Sequence, residues 1–154
     1  MASITPTIVY RDSRAAIEWL RNAFNFEVSL LLTDDDGNIA HVELSYGDAK
    51  IGVCQPWSHE MLGATRLVSP MSLGGQATAF NWIRLEEPLD AHCARAKAAG
   101  AEITQEPANQ FYGDRTYRAR DLDGHVWCFS EPAEEVSVEE MEKRSGLKVE
   151  AAEA

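Results

Sequence analysis

The sequence predicts an α+β fold of two βαβββ modules. Three observations carry this: two amphipathic helical stretches, a strand candidate on either side of each, and a pair of further strands after each set. Asp12 or Ser13 caps a first helix over residues 13–24. Its apolar positions Ala16, Ile17, Leu20, Ala23 and Phe24 form one stripe at helical period. Asn25 follows, and asparagine tolerates the left-handed conformation that ends helices. Pro88 suits the first position of a second helix over 88–99, with Leu89, Cys93 and Ala96 inward, and Gly100 stops it.

The flanking strands follow from alternation and turn chemistry. TIVYR and FEVSLLL bracket the first helix, and NWIRL and AEITQEP bracket the second. IAHVELSY and AKIGVCQ complete the first module, joined at Gly47-Asp48. TYRARDL and HVWCFSE complete the second, joined at Asp123-Gly124. Asp, Asn and Gly in such pairs favour hairpins. The order recurs as a structural repeat with little sequence identity. One domain therefore spans 1–131, with modules at about 4–57 and 76–131. Residues 58–75 form a connector too long for an idle linker. Its Met61, Leu62, Leu67, Val68, Met71 and Leu73 predict that it lies over an apolar surface. The acidic tail 132–154 carries a capping box, Ser137 and Glu140, and predicts a helix at about 138–145 ending at Gly146.

Composition excludes several functions. Lys and Arg number 14 against 25 Asp and Glu, a net charge of −11, with no basic cluster to meet phosphates, so nucleic acid is not expected as a partner. No apolar run approaches the roughly 18 residues of a membrane span. The opening MASITPTIVYRD lacks a basic stretch followed by an apolar one, so no secretory signal is expected. Cys54, Cys93 and Cys128 are odd in number and widely spaced. They suit free buried thiols in a reducing cytoplasm, not a disulfide framework or zinc ribbon.

Few motifs point to chemistry. His59-Glu60 opens like a zinc HExxH, but position 63 is Gly, and there is no GxSxG, Walker loop or GxGxxG. His92 reads as a surface side chain beside a helical stripe, and His125 as a solvated residue after a turn glycine. His41 and Glu43 share a strand face, opposite Val42 and Leu44. An imidazole two residues from a carboxylate is either a general base with its orienting partner or part of a solvent-facing polar strand. Phe80, Trp82 and Arg84 share another face. Trp82 stacks on a flat ligand or packs in a core, and Arg84 grips a polar group or makes a surface ion pair. Phe111, Tyr112, Asp114, Arg115 and Tyr117 fall in or after a loop that suits ligand contact or an interface.

The doubled βαβββ order, the turn Asp121-Leu122-Asp123-Gly124-His125 and the opening YRDSRAAIEWLRNAFNF resemble the vicinal oxygen chelate superfamily: glyoxalase I, extradiol dioxygenases and bleomycin resistance proteins. GNIAHVELSYGDAKIGV and YGDRTYRARDLDGHVW are most similar to its PhnB-like branch. The resemblance covers about residues 4–131. It implies that each module curls four strands into half of a cupped mixed sheet, with the helices outside and a second chain completing many such cups. It also implies a divalent metal, ligated from the first and fourth strand of each module. Those positions carry Thr5, Gly52, Phe80 and Cys128 here, and a shift of one residue does not supply the missing donors. The chain departs from the metal-dependent pattern, and no metal cofactor is expected.

Two functions remain. The favoured one is a homodimeric protein that binds a small organic molecule in the cup, as bleomycin resistance members do by sequestration. The alternative is a glyoxalase-type lyase or isomerase with a non-standard site or His41 as base. The resemblance places Trp82, Arg84 and Cys128 in the cup. Strand parity adds His41 and Glu43, and matching TYRARD to HVELSY adds Arg115 and Tyr117. That matching turns Arg118 and Arg120 toward the helix.

Overall fold

A computed structural model describes residues 2–58 and 60–152, apart from the side chains of Ser58 and Met61. His59 lies outside the described residues. The first module runs β1 (Thr7–Val9), α1 (Ser13–Phe24), β2 (Glu27–Thr33), β3 (Ile39–Tyr46) and β4 (Ala49–Cys54). The connector forms a small hairpin, β5 (Trp57–Ser58) with β6 (Arg66–Leu67), and two single 3₁₀ turns. The second module runs β7 (Phe80–Arg84), α2 (Leu89–Ala98), β8 (Glu102–Asn109), β9 (Asp114–Arg120) and β10 (Val126–Pro132), followed by α3 (Val138–Ser145). The chain thus has two βαβββ modules, as its periodicities predict.

The helix ends follow the expected chemistry. Asp12 accepts from the Ala15 amide at the start of α1, and Asn25 adopts the left-handed conformation at its end. Ser137 accepts from the Glu140 amide at the start of α3. No helix among the described residues is long and apolar enough to cross a membrane.

Each module forms its own four-stranded sheet, in the orders β1-β4-β3-β2 and β7-β10-β9-β8. The first strand of each module runs parallel to the last, and the remaining pairings are antiparallel. One face of each sheet is covered by α1 and α2, which also pack on each other. Ile8, Val42, Leu44, Ile51 and Val53 point to the helices from the first sheet, and Ile83, Tyr117, Ala119, Trp127 and Phe129 from the second. Phe24 of α1 reaches across to Phe129, with ring centroids 4.7 Å apart, and Tyr46 of β3 meets His92 of α2 at 6.2 Å. The two modules therefore share one core.

His92 is fully buried, which corrects its expected surface position. It lies between α1 and the second sheet. Nε2–H donates to the Phe24 carbonyl at 3.1 Å, so the neutral ring leaves Nδ1 to accept from the Tyr117 hydroxyl at 2.6 Å. Burial pushes the imidazole below its usual range and keeps it neutral, outweighing the Phe24 carbonyl.

A second polar network ties the modules together. The Tyr10 hydroxyl and the Trp127 indole N–H both donate to Asp121 Oδ2, at 2.6 and 3.0 Å. The amides of Asp123 and His125 donate to Oδ1. Asp123 in turn accepts from the Arg11 amide and guanidinium. His125 is half-buried and donates to the Val9 carbonyl at 2.6 Å, so it is a junction residue and not a solvated one. Burial and the Asp121 charge raise the Tyr10 phenol well above its usual range. Asp121→Ala leaves four donors without an acceptor and is expected to cost roughly 3 kcal/mol or more in urea unfolding, against about 1–2 kcal/mol for Tyr10→Phe.

Candidate functional site

The faces of the two sheets turned away from the helices are open. On the first, Leu30, Leu32, His41, Glu43, Lys50 and Gly52 share the side opposite Val42 and Ile51, by strand register. On the second, Phe80, Trp82, Arg84, Cys128, Ser130, Arg118 and Arg120 share the side opposite Ile83 and Phe129. The faces join where the modules meet, in a cleft of about 570 Å³. Glu43, Lys50, Phe80 and Trp82 line its walls. Ile51, Ile83 and Trp127 lie deeper, and Ile4 and Thr5 border it.

Trp82 and Phe80, on edge strand β7, are 52% and 53% exposed. The Trp82 indole is nevertheless held: Nε1–H donates to Ser130 Oγ at 2.9 Å, and Tyr112 stands 6.3 Å from its ring. Arg84 Nη2 donates to both carboxylate oxygens of Asp114, at 2.9 and 3.1 Å. Cys128 sits opposite Trp82 on the same face but is almost fully buried. Burial pushes its thiol above the usual range, while a hydrogen bond with Arg118 pulls the other way. On the facing module, His41 Nε2 donates to Glu43 Oε1 at 3.2 Å, and Lys50 approaches the other oxygen at 3.8 Å. Glu43 borders the cleft, and His41 stands one step further out, half exposed.

The structure thus puts Glu43 and Trp82 in one cleft, with His41, Arg84 and Cys128 on the same open faces. It separates Arg115 and Tyr117 from them. Tyr117 is opposite Phe129 and fully buried against the helices, and Arg115 reaches Asp90 of α2 at 3.0 Å. Matching TYRARD to HVELSY by eye puts these two on the wrong face. Arg118 and Arg120 occupy the open face instead. The signal was present in the sequence: two arginines at alternate positions are poor candidates for a helix-covered face.

The metal positions carry the wrong chemistry for a divalent cation. Thr5, Gly52 and Phe80 offer no imidazole, carboxylate or amide donor, and Cys128 is a buried thiol. At Gly52 an added Cβ would lie 2.9 Å from the Thr7 hydroxyl, so the backbone itself is crowded there. Among the described residues, no group of three His, Cys, Asp or Glu side chains is placed to hold a metal ion.

The connector lies over the other end of the same junction. Leu67, Val68, Pro70 and Leu73 line a second cleft of about 410 Å³ with Thr7, Val9 and His125, and Pro6 and Asn81 border both clefts. Met71 and Leu73 remain about half exposed, so the connector buries only part of its apolar surface.

Residues 3–129 match the family model of the Glyoxalase/Bleomycin resistance protein/Dioxygenase superfamily. An uncharacterized protein of Mycobacterium tuberculosis is 26% identical over 140 residues, covering 91% of this chain and 80% of its own. TioX from Micromonospora sp. ML1 is 26% identical, with a TM-score of 0.65 over 88% of this chain and 100% of its own. The fosfomycin resistance protein FosX from Listeria monocytogenes shares the fold at 17% identity, with a TM-score of 0.58 over 92% of this chain and 98% of its own.

The tail lies beyond the matched residues and touches the rim of the site. The amides of Ala133 and Glu134 both donate to the Gly113 carbonyl at 2.9 Å. Arg144 of α3 pairs with Glu134 and Glu140. Gly113 follows Tyr112, the residue beside Trp82, and has φ +103°. A Cβ there would clash with the Glu134 carbonyl oxygen. Gly113→Ala is expected to cost at least about 1–3 kcal/mol and to raise amide hydrogen exchange in 110–113 and in the tail. Unchanged protection there would show that the tail does not hold the rim.

Proposed function

The chain belongs to the glyoxalase/bleomycin resistance protein/dioxygenase superfamily, and from that premise we propose that it binds a small organic molecule in the open cleft without a metal. The observation that carries this reading is Trp82. Its ring is half exposed in a concave site, fixed by Ser130, and accompanied by Phe80 and Tyr112. A preorganised aromatic face loses little side-chain entropy when a flat molecule stacks on it. The protein would act in the cytoplasm as a homodimer. Val28, Leu30, Leu31 and Leu32 on edge strand β2 are 38–49% exposed, and a second chain covering them would deepen the open faces.

The His41–Glu43 contact favours a second reading, a lyase or isomerase of the glyoxalase type. There Glu43 would orient the imidazole and His41 would move a proton on a molecule held by Trp82.

Titration with the neutral fluorophore N-phenyl-1-naphthylamine tests the first reading. Trp82→Ala is expected to weaken binding about tenfold. Trp19→Phe on α1, whose Nε1–H donates to the Ala99 carbonyl away from the cleft, is expected to leave it unchanged. Equal losses from both would place the site elsewhere. For the second reading, His41→Ala is expected to abolish turnover while preserving probe affinity.

A further inference from the structure

Among the described residues most charges on the open strand faces lie in ion pairs; Arg118 does not, and neither does Asp48, in the β3–β4 turn that lines the cleft. On the first module, Glu43 meets both Lys50 and His41. On the second, Arg84 is held by Asp114 and Arg120 by Glu102 at 2.9 Å. Arg118 lies between them on the face shared with Trp82 and Cys128. Its side chain is exposed, and among the described residues no carboxylate reaches it within ion-pairing distance. Its contacts are neutral: the Cys128 sulfur and the ring of Phe80, whose centroid is 6.0 Å from Cζ.

This placement is unexpected in a chain of net charge −11. The other arginines of the second module, Arg84, Arg95, Arg115 and Arg120, each have a carboxylate partner. Arg118 instead presents a guanidinium fork beside the half-exposed Phe80 ring, on the face that also carries Trp82. The Phe80 ring lies near the head group at the cleft wall, and a guanidinium has five N–H donors, so donors remain beyond the one shared with Cys128. Flat apolar surface and a free cation side by side fit one ligand chemistry.

We propose that the cleft takes an aromatic anion: a planar ring system that stacks on Phe80 and Trp82 and bears a carboxylate, sulfonate or phosphate that Arg118 receives. This rests on the reading of the cleft as a small-molecule site and adds the ligand's charge. It runs against the acidic balance of the whole chain, which would favour a cation. Charges more than about 10 Å away are screened at ordinary salt, so the balance that matters is local: Glu43, Asp48 and Lys50 in the cleft lining, with Arg118 beside the Phe80 ring on which the ligand would stack.

Two probes with the same rings separate the contributions. 1-Anilinonaphthalene-8-sulfonate carries a sulfonate that N-phenyl-1-naphthylamine lacks. The wild-type chain is expected to bind the sulfonate about tenfold more tightly, the scale of a charge-assisted hydrogen bond, with the preference shrinking as salt rises. Arg118→Gln is expected to remove that preference and leave affinity for the neutral probe unchanged, which also shows that the variant is folded. Arg118→Lys should restore part of it. Retention of the full preference in Arg118→Gln, or none in the wild type, would overturn the proposal and leave Arg118 as a partner of Phe80 alone. If Trp82→Ala changes affinity for neither probe, or neither binds, the cleft reading itself falls.

Discussion

The carboxylate of Asp121 accepts four hydrogen bonds from groups that have little other access to solvent or partners. Two come from its own turn and fix the path from β9 into β10. One comes from Trp127, at the base of the cleft, and one from Tyr10, in the other module. A buried acceptor with this many donors is hard to replace, because losing it strands each donor in a poorly hydrated place. The junction between modules, and so the cleft along it, inherits its geometry from this side chain. Arg11 on Asp123 and His125 on the Val9 carbonyl reinforce the same junction from outside. The sequence DLDGH is therefore more than a hairpin turn: its acidic residues hold the other half of the molecule.

Much of the fold is legible in the sequence because its signals are local. Helix periodicity, the Asp12 and Ser137 caps, Asn25 and the turn glycines place the elements nearly as the chain folds. The same holds for strand faces read inside one strand, such as His41 with Glu43 and Phe80 with Trp82. What the sequence did not reveal depends on partners far along the chain. His92 resembles a surface residue until α1 brings the Phe24 carbonyl to it and β9 brings Tyr117. Arg115 and Tyr117 were misplaced because the parity of β9 is set by its register with β10, where Tyr117 faces Phe129 and Arg118 faces Cys128. The hold of the tail on Gly113 is likewise a long-range contact that composition cannot show.

At the four positions that the family resemblance implies for metal ligands, this chain has a hydroxyl, no side chain, an aromatic ring and a buried thiol. The exchange changes how a site of this shape can recognise anything. A cation binds through lone pairs converging on a point, whereas rings recognise area and planarity. Phe80 occupies one former ligand position and Cys128 lies in register with Trp82. Of the residues that depart from the metal pattern, Phe80 is thus part of the aromatic wall and Cys128 lies beside it.

Strand β2 leaves a row of backbone groups unpaired at the edge of its sheet, with leucines pointing to both sides. Such a strand is a template on which further strands can be added, and neither proline nor an inward charge blocks it. The excess of carboxylates then has a colloidal role that no single contact reveals: it keeps chains apart while their edges are bare. That repulsion fades as acidity approaches the isoelectric point near 4.7. A bare strand edge and a surplus of surface carboxylates are in this sense one physical problem: the charge spread over the whole surface opposes the pairing that the edge invites.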